Sequence, residues 1–125
     1  MGTIPGEARS WSRTLPAGPT SAAEARGFLW EALKDQDVSL DLDAAALLTT
    51  EIASNAARHG KEPIQVSVTL EEEGLRVSVH DQGPGFDPND AAALGTGYGV
   101  TLVRQLASEW GVERGAEGTE VWFRI

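Results

Sequence analysis

Asp81 closes a segment in which Leu75, Val77 and Val79 alternate with Arg76, Ser78 and His80, the period of a half-buried strand. The alternation puts the Asp81 carboxylate on the apolar side, where it is costly unless something donates hydrogen bonds to it. Gln82-Gly83-Pro84-Gly85 follow, and glycines there allow a sharp turn and the close approach of a ligand. A buried acid at the mouth of a pocket suits an amine donor, such as the amino group of adenine.

A second group carries oxygen and cationic chemistry. Glu51, Asn55 and Arg58-His59 recur at i, i+4 and i+7/i+8, which places them on one helical stripe beside the apolar one. An Asn oxygen can ligate Mg²⁺ without adding negative charge beside a polyphosphate, and hard cations prefer oxygen ligands. Glu51, one turn away, can polarise a metal-bound water or accept a hydroxyl proton. Arg58 can neutralise phosphate charge. A solvated helix face with an ordinary i, i+4 pair gives the same stripe. His59 reads as a cation at a helix C-terminus, and His80 as a solvated residue on the polar face of its strand.

Gly95-Thr96-Gly97-Tyr98-Gly99 precedes a helical pattern and suits either a mobile loop or phosphate at a helix N-terminus. It is neither the dinucleotide fingerprint nor a P-loop, since the required sixth-position glycine and Lys-Ser or Lys-Thr are missing. Thr119 follows Gly118 and shares parity with Val121, Phe123 and Ile125. Its hydroxyl therefore points inward, to share a water or a base edge with Asp81 or to be satisfied by its own neighbours.

The elements that must position these residues follow from the pattern. Residues Met1 to Glu7 read as a flexible tail, and residues 8–125 as a single domain. Ser10 to Leu15 forms a short edge strand before Pro16 and Pro19. Ser21-Ala22-Ala23-Glu24 is a capping-box pattern, with Ala25, Phe28, Leu29, Ala32 and Leu33 as the apolar stripe of the helix that follows. A second helix starts near Ser39 or Asp41, runs on Leu42, Ala45, Leu48, Ile52 and Ala56, and ends at His59-Gly60. Ile64 to Leu70 and Leu75 to Asp81 make a hairpin, and Gly83 to Gly97 a loop. A third helix is predicted from about Tyr98 to Trp110, with Val100, Val103, Leu106 and Trp110 inward. Val112 to Arg114 and Thr119 to Ile125 complete a last hairpin. The expected fold is α+β: a two-layer sandwich whose largely antiparallel sheet is covered on one face by three helices.

Composition narrows the partners. The net charge is −9, which argues against direct nucleic-acid binding and permits a basic protein surface. Cysteine is absent, so disulfides and thiolate metal sites are excluded. No apolar run approaches a membrane span, and the N-terminus has neither a signal-peptide nor a transit-peptide pattern. The expectation is a soluble cytoplasmic protein, and the exposed first strand leaves room for a homodimer.

Taken together, the segments resemble the ATPase domains of the gyrase/Hsp90/histidine-kinase/MutL superfamily. Glu51-Ile-Ala-Ser-Asn55-Ala-Ala-Arg58-His59-Gly60 resembles its N-box, and Asp81-Gln-Gly83-Pro-Gly85 its first glycine box. Gly95-Thr-Gly97-Tyr-Gly99 resembles its second glycine box, and Gly118-Thr119 its last motif, all in the family's order. The form Ser54-Asn55-Ala-Ala-Arg58-His59-Gly60 is most similar to the bacterial anti-sigma-factor serine/threonine kinases. The resemblance implies a Bergerat-type site for ATP and Mg²⁺. Asp81 would receive the adenine amine, Asn55 would bind the metal, and Glu51 would be the general base toward a seryl or threonyl hydroxyl. Arg58, His59 and Thr119 would contact the nucleotide, with Gly83, Gly85, Gly95, Gly97, Tyr98, Gly99 and Val100 shaping the pocket and its lid. Such a kinase sequesters a sigma factor and phosphorylates an antagonist protein. Arg26 matches an arginine the family uses for partner contacts, and on its own it also reads as a solvated charge. The resemblance leaves two alternatives: a non-catalytic binding regulator and the catalytic domain of a histidine kinase. One departure stands out. The lid from Phe86 to Leu94 has neither Arg nor Lys, so phosphate clamping there would rest on backbone amides.

Overall fold

A computed structural model describes residues 9–36, 38, 40–59, 61–72, 74–83 and 105–125. The element order is β1 (Arg9–Leu15), α1 (Ser21–Leu33), α2 (Leu42–His59), β2 (Ile64–Glu71), β3 (Gly74–Asp81), β4 (Glu109–Gly115) and β5 (Gly118–Arg124). The five strands form one sheet in the order β1-β2-β3-β5-β4, and every neighbouring pair is antiparallel. Among the described residues two helices, α1 and α2, cover one face of the sheet, in the α+β sandwich that the patterning predicts.

Period-two alternation builds the core. Val66, Val79 and Val121 stand side by side across three strands, as do Val68, Val77 and Phe123. All six are buried beneath the helices. β-branched side chains fit such a pleated surface. From above, α1 contributes Ala25, Phe28, Leu29 and Leu33, and α2 contributes Ala45, Leu48, Ile52, Ala53 and Ala56. The alanines let α2 sit close to both α1 and β3.

The helix starts differ from one another. Asp41 caps α2: its carboxylate accepts the Ala44 amide at 3.0 Å, relieving an orphan donor of the first turn. The capping box expected at Ser21 does not form, because Ser21 is the first helical residue and Thr20 precedes it without a side-chain cap. The Ser21 hydroxyl turns back instead, donating to the Pro16 carbonyl at 2.7 Å and accepting the Gly18 amide at 2.8 Å. It ties down the β1–α1 turn rather than the helix end.

The third helix needs a correction at its C-terminal end. Trp110 belongs to β4, where it stands opposite Phe123, and Leu106 is 40% exposed. Positions 103, 106 and 110 satisfy a helical period, but Trp110 and Val112 also satisfy a period of two, and pairing with β5 wins. The strand therefore starts at Glu109, not at Val112. Gln105 and Leu106 retain helical backbone; the earlier part of that predicted helix, the tail from Met1 to Glu7 and the loop beyond Gly83 lie outside the described residues.

The face of the sheet opposite α1 and α2 is polar. Trp122 lies there, flanked by the Arg76 and Arg124 guanidinium groups at 4.9 and 5.6 Å from its ring. Gly111 makes room for it, since a Cβ there would stand 2.7 Å from the indole nitrogen. Arg124 also bridges Glu71 on β2 and Glu109 on β4, and the hydrogen bond to Glu71 raises its pKa further above the ordinary value.

Candidate functional site

Asp81 is the last residue of β3 and is only 4% exposed. Its Oδ1 accepts the Gly83 amide at 2.6 Å, so the chain folds back on the acid within two residues. Among the described residues this is the one donor on the carboxylate, and an ionised carboxylate can accept several more. Thr119, 1% exposed on β5, stands opposite Asp81. Its hydroxyl donates to the Gly83 carbonyl at 3.0 Å, so its proton braces the glycine turn that follows the acid. Gly118 adopts φ +120°, and a Cβ there would collide with the Asp81 carbonyl oxygen. Glycine is required at this point because β5 enters directly against the acid's own backbone.

The second group lies on the C-terminal half of α2. Asn55 is buried at 4% exposure, Glu51 is half-buried and Arg58 is exposed. The burial of Asn55 widens the core stripe of α2 beyond the apolar positions, as expected of a stripe that borders the core. Arg58 Nη2 donates to Asn55 Oδ1 at 2.8 Å, an i, i+3 pair that holds the amide oxygen in one orientation.

The chain brings both groups to the same edge. The Gln82 amide, just beyond β3, donates to the carbonyl of Lys61, just beyond α2, at 2.9 Å. The C-terminal ends of α2 and β3 therefore meet, with Asn55 and Arg58 on one and Asp81 and Gly83 on the other. Glu62 extends the junction by accepting the Ala17 amide at 3.1 Å. Neither Lys61 nor Glu62 was legible as a site residue. A backbone carbonyl leaves no trace in residue type, and a single acid in a loop looks like any solvated charge.

Gly85, Gly95, Gly97, Tyr98, Gly99 and Val100 lie outside the described residues, as does the side chain of His59. Arg26 is exposed on α1 and away from this edge's hydrogen bonds. A recess of about 140 Å³ opens between the β1–α1 turn and α2, lined by Gly18, Pro19, Ala22, Ser54, Ala57 and Arg58. It is smaller than sites that hold drug-sized ligands.

The donor set limits how a metal ion can be held. Among the described residues no cluster of three or more His, Asp or Glu side chains forms a cation site. A cation on Asn55 Oδ1 would take its remaining ligands from phosphate and water, which is how Mg²⁺ is usually held beside nucleotides. The residues fit an ion that arrives with a polyphosphate.

Residues 15–125 match the pattern of a family described as the histidine kinase-like ATPase domain. The chain belongs to that family. Its nucleotide is accordingly ATP. Two curated relatives of this ATPase domain are named Sensor protein CseC. The one from Streptomyces avermitilis is 34% identical over 57% of this chain and 19% of its own length. The one from Streptomyces coelicolor is 38% identical over 50% of this chain and 11% of its own length. The chain thus matches less than a fifth of each relative. Among solved structures, the RsbU and RsbW domains of Rv1364c from Mycobacterium tuberculosis superpose with a TM-score of 0.70 at 24% identity, over 93% of this chain and 32% of that one. The Erythrobacter litoralis EL346 blue-light activated histidine kinase superposes with a TM-score of 0.59 at 25% identity, over 89% of this chain and 42% of that one. Both share the fold of this chain. Among the described residues no helix is long and apolar enough to cross a membrane.

Proposed function

We propose that this domain is an ATP-binding regulatory protein serine/threonine kinase of the anti-sigma-factor type. The observation that carries the nucleotide site is the buried Asp81 carboxylate, 4% exposed and with acceptor capacity to spare, on the same edge as Asn55. In this reading Asp81 accepts the adenine amino group, Gly83 and Thr119 shape the base pocket, and Asn55 Oδ1 is the protein's ligand to Mg²⁺. Bound Mg²⁺ supplies charge neutralisation across the phosphates. Arg58 adds a cation there, and His59, Gly85, Gly95, Gly97, Tyr98, Gly99 and Val100 are assigned to the rest of the pocket from their motifs. Glu51 accepts the proton of a seryl or threonyl hydroxyl as that oxygen attacks the γ-phosphorus and the bond to the ADP oxygen breaks. The phosphorylated substrate would be an antagonist protein and the sequestered partner a sigma factor, with Arg26 at the partner surface. The setting is cytoplasmic, direct nucleic-acid contact is absent, and β1 offers an edge for a homodimer. Support for this reading comes from the N-box form Ser54-Asn55-Ala-Ala-Arg58-His59-Gly60 and from the likeness to a structure that contains an RsbW domain.

The sensor-protein relatives favour a second reading, the catalytic domain of a histidine kinase. Acid chemistry separates the two, because a phosphoseryl or phosphothreonyl ester survives acid and a phosphohistidine does not. Calorimetry with ATP in Mg²⁺ comes first, and micromolar binding is expected. Radiolabelled ATP is then offered with candidate partner proteins. Acid-stable label that disappears in Glu51→Gln supports the serine/threonine reading, and acid-labile label supports the second. ATP binding with no transfer to any partner leaves a non-catalytic regulator.

A further inference from the structure

We infer that Arg58 and a metal ion compete for one oxygen, Asn55 Oδ1, so that Arg58 sets how strongly nucleotide binding depends on Mg²⁺. The inference rests on the ATP-site reading above and goes beyond it. Arg58 Nη2 donates to that oxygen at 2.8 Å. Asn55 is 4% exposed among the core residues of α2, whereas Arg58 is exposed on a long, flexible stem. An amide oxygen has two lone pairs, but a guanidinium and a divalent cation on the same atom repel each other at contact distance. One of them must leave, and only the arginine has somewhere to go. A displaced guanidinium beside a polyphosphate finds oxygens that match its planar fork.

Two states of the side chain follow. With nucleotide but no metal, Arg58 is the principal cation available to the phosphates from α2. With metal present, the ion takes Asn55 Oδ1 and neutralises the phosphates itself, so that Arg58 matters less. Arg58 is thus a positioning residue whose value depends on the metal, and a simple phosphate clamp would matter equally in both conditions.

The test compares ATP affinity in Mg²⁺ and in EDTA for the wild-type chain, Arg58→Gln and Arg58→Lys, with circular dichroism to confirm folding. Wild type is expected to bind in both conditions, more weakly in EDTA. Arg58→Gln is expected to lose about tenfold or more in EDTA, the size of one hydrogen bond to a charged group, and less than about threefold in Mg²⁺. Arg58→Lys, which keeps the charge but not the fork, falls between. In the wild type, the Asn55 side-chain amide resonance shifts when ATP is added with Mg²⁺, and Arg58→Gln reproduces part of that shift without ligand. Equal losses in the two conditions overturn the inference, as does a wild type that binds in Mg²⁺ but not at all in EDTA. A wild type that binds ATP in neither condition overturns the ATP-site reading instead.

Discussion

A single carboxylate illustrates how much chemistry one residue can declare in advance. The side of the strand on which Asp81 lies follows from the parity of Leu75, Val77 and Val79, because a strand gives its side chains only two directions. Its burial was therefore legible, and so was the inward direction of Thr119 by the same counting. What Thr119 bonds to was not. Its hydroxyl serves the Gly83 carbonyl, and that choice depends on a turn whose path no periodicity encodes. The Arg58–Asn55 bond was hidden for a related reason, since an i, i+3 spacing says that two side chains can meet but not which rotamers they take. At this scale the expectation concerns Asp81→Asn. The substituted amide can still accept the Gly83 hydrogen, so the turn persists, but its charge is gone and its NH₂ can face the adenine amine. ATP binding should weaken by about 1.5–3 kcal/mol, the value of a hydrogen bond to a charged group. Calorimetry beside an unchanged circular dichroism spectrum checks this.

At the scale of elements, amphipathic spacing locates α1 and α2 well, and their ends less well. Asp41 caps as its type suggests, whereas Ser21 lies one residue inside the helix and spends its hydroxyl on the preceding turn. The same residue types serve caps and turns, so type alone does not separate them. The error at Trp110 has a different origin: Trp110 continues a helical period from Leu106 and, with Val112, also fits a period of two, and only the partner strand decides. α2 carries a feature that no pattern reveals. Thr49 is fully buried, and among the described residues its hydroxyl has no hydrogen-bond partner. An unsatisfied buried hydroxyl costs about 1–3 kcal/mol, and valine has nearly the same shape. Thr49→Val should therefore raise stability by about 1 kcal/mol, read as a higher urea midpoint with an unchanged slope. No shift, or a fall, would mean that the hydroxyl is satisfied in solution.

For the molecule as a whole, one sheet and one helical layer share one core, and Phe123 sits at its centre with no exposure. It faces Val77 on one side and Trp110 on the other, linking the β2–β3 hairpin to the β4–β5 hairpin. Phe123→Ala should cost about 3–5 kcal/mol, and denaturation followed by tryptophan fluorescence and by circular dichroism should lose stability in step if the layers unfold together. The architecture was legible because alternation and hairpin spacing leave few ways to pair these strands. The strand order was not, since β5 beside β3 is a long-range choice made by Asp81, Thr119 and Gly118 as much as by the core. The bond from the Gln82 amide to the Lys61 carbonyl has a practical consequence. It closes the junction where helix and strand deliver their site residues, so that amide can exchange with deuterium only when the junction opens. Its exchange rate is a clock on the spreading of the two arms, readable without any ligand, and a nucleotide that clasps both arms should slow it.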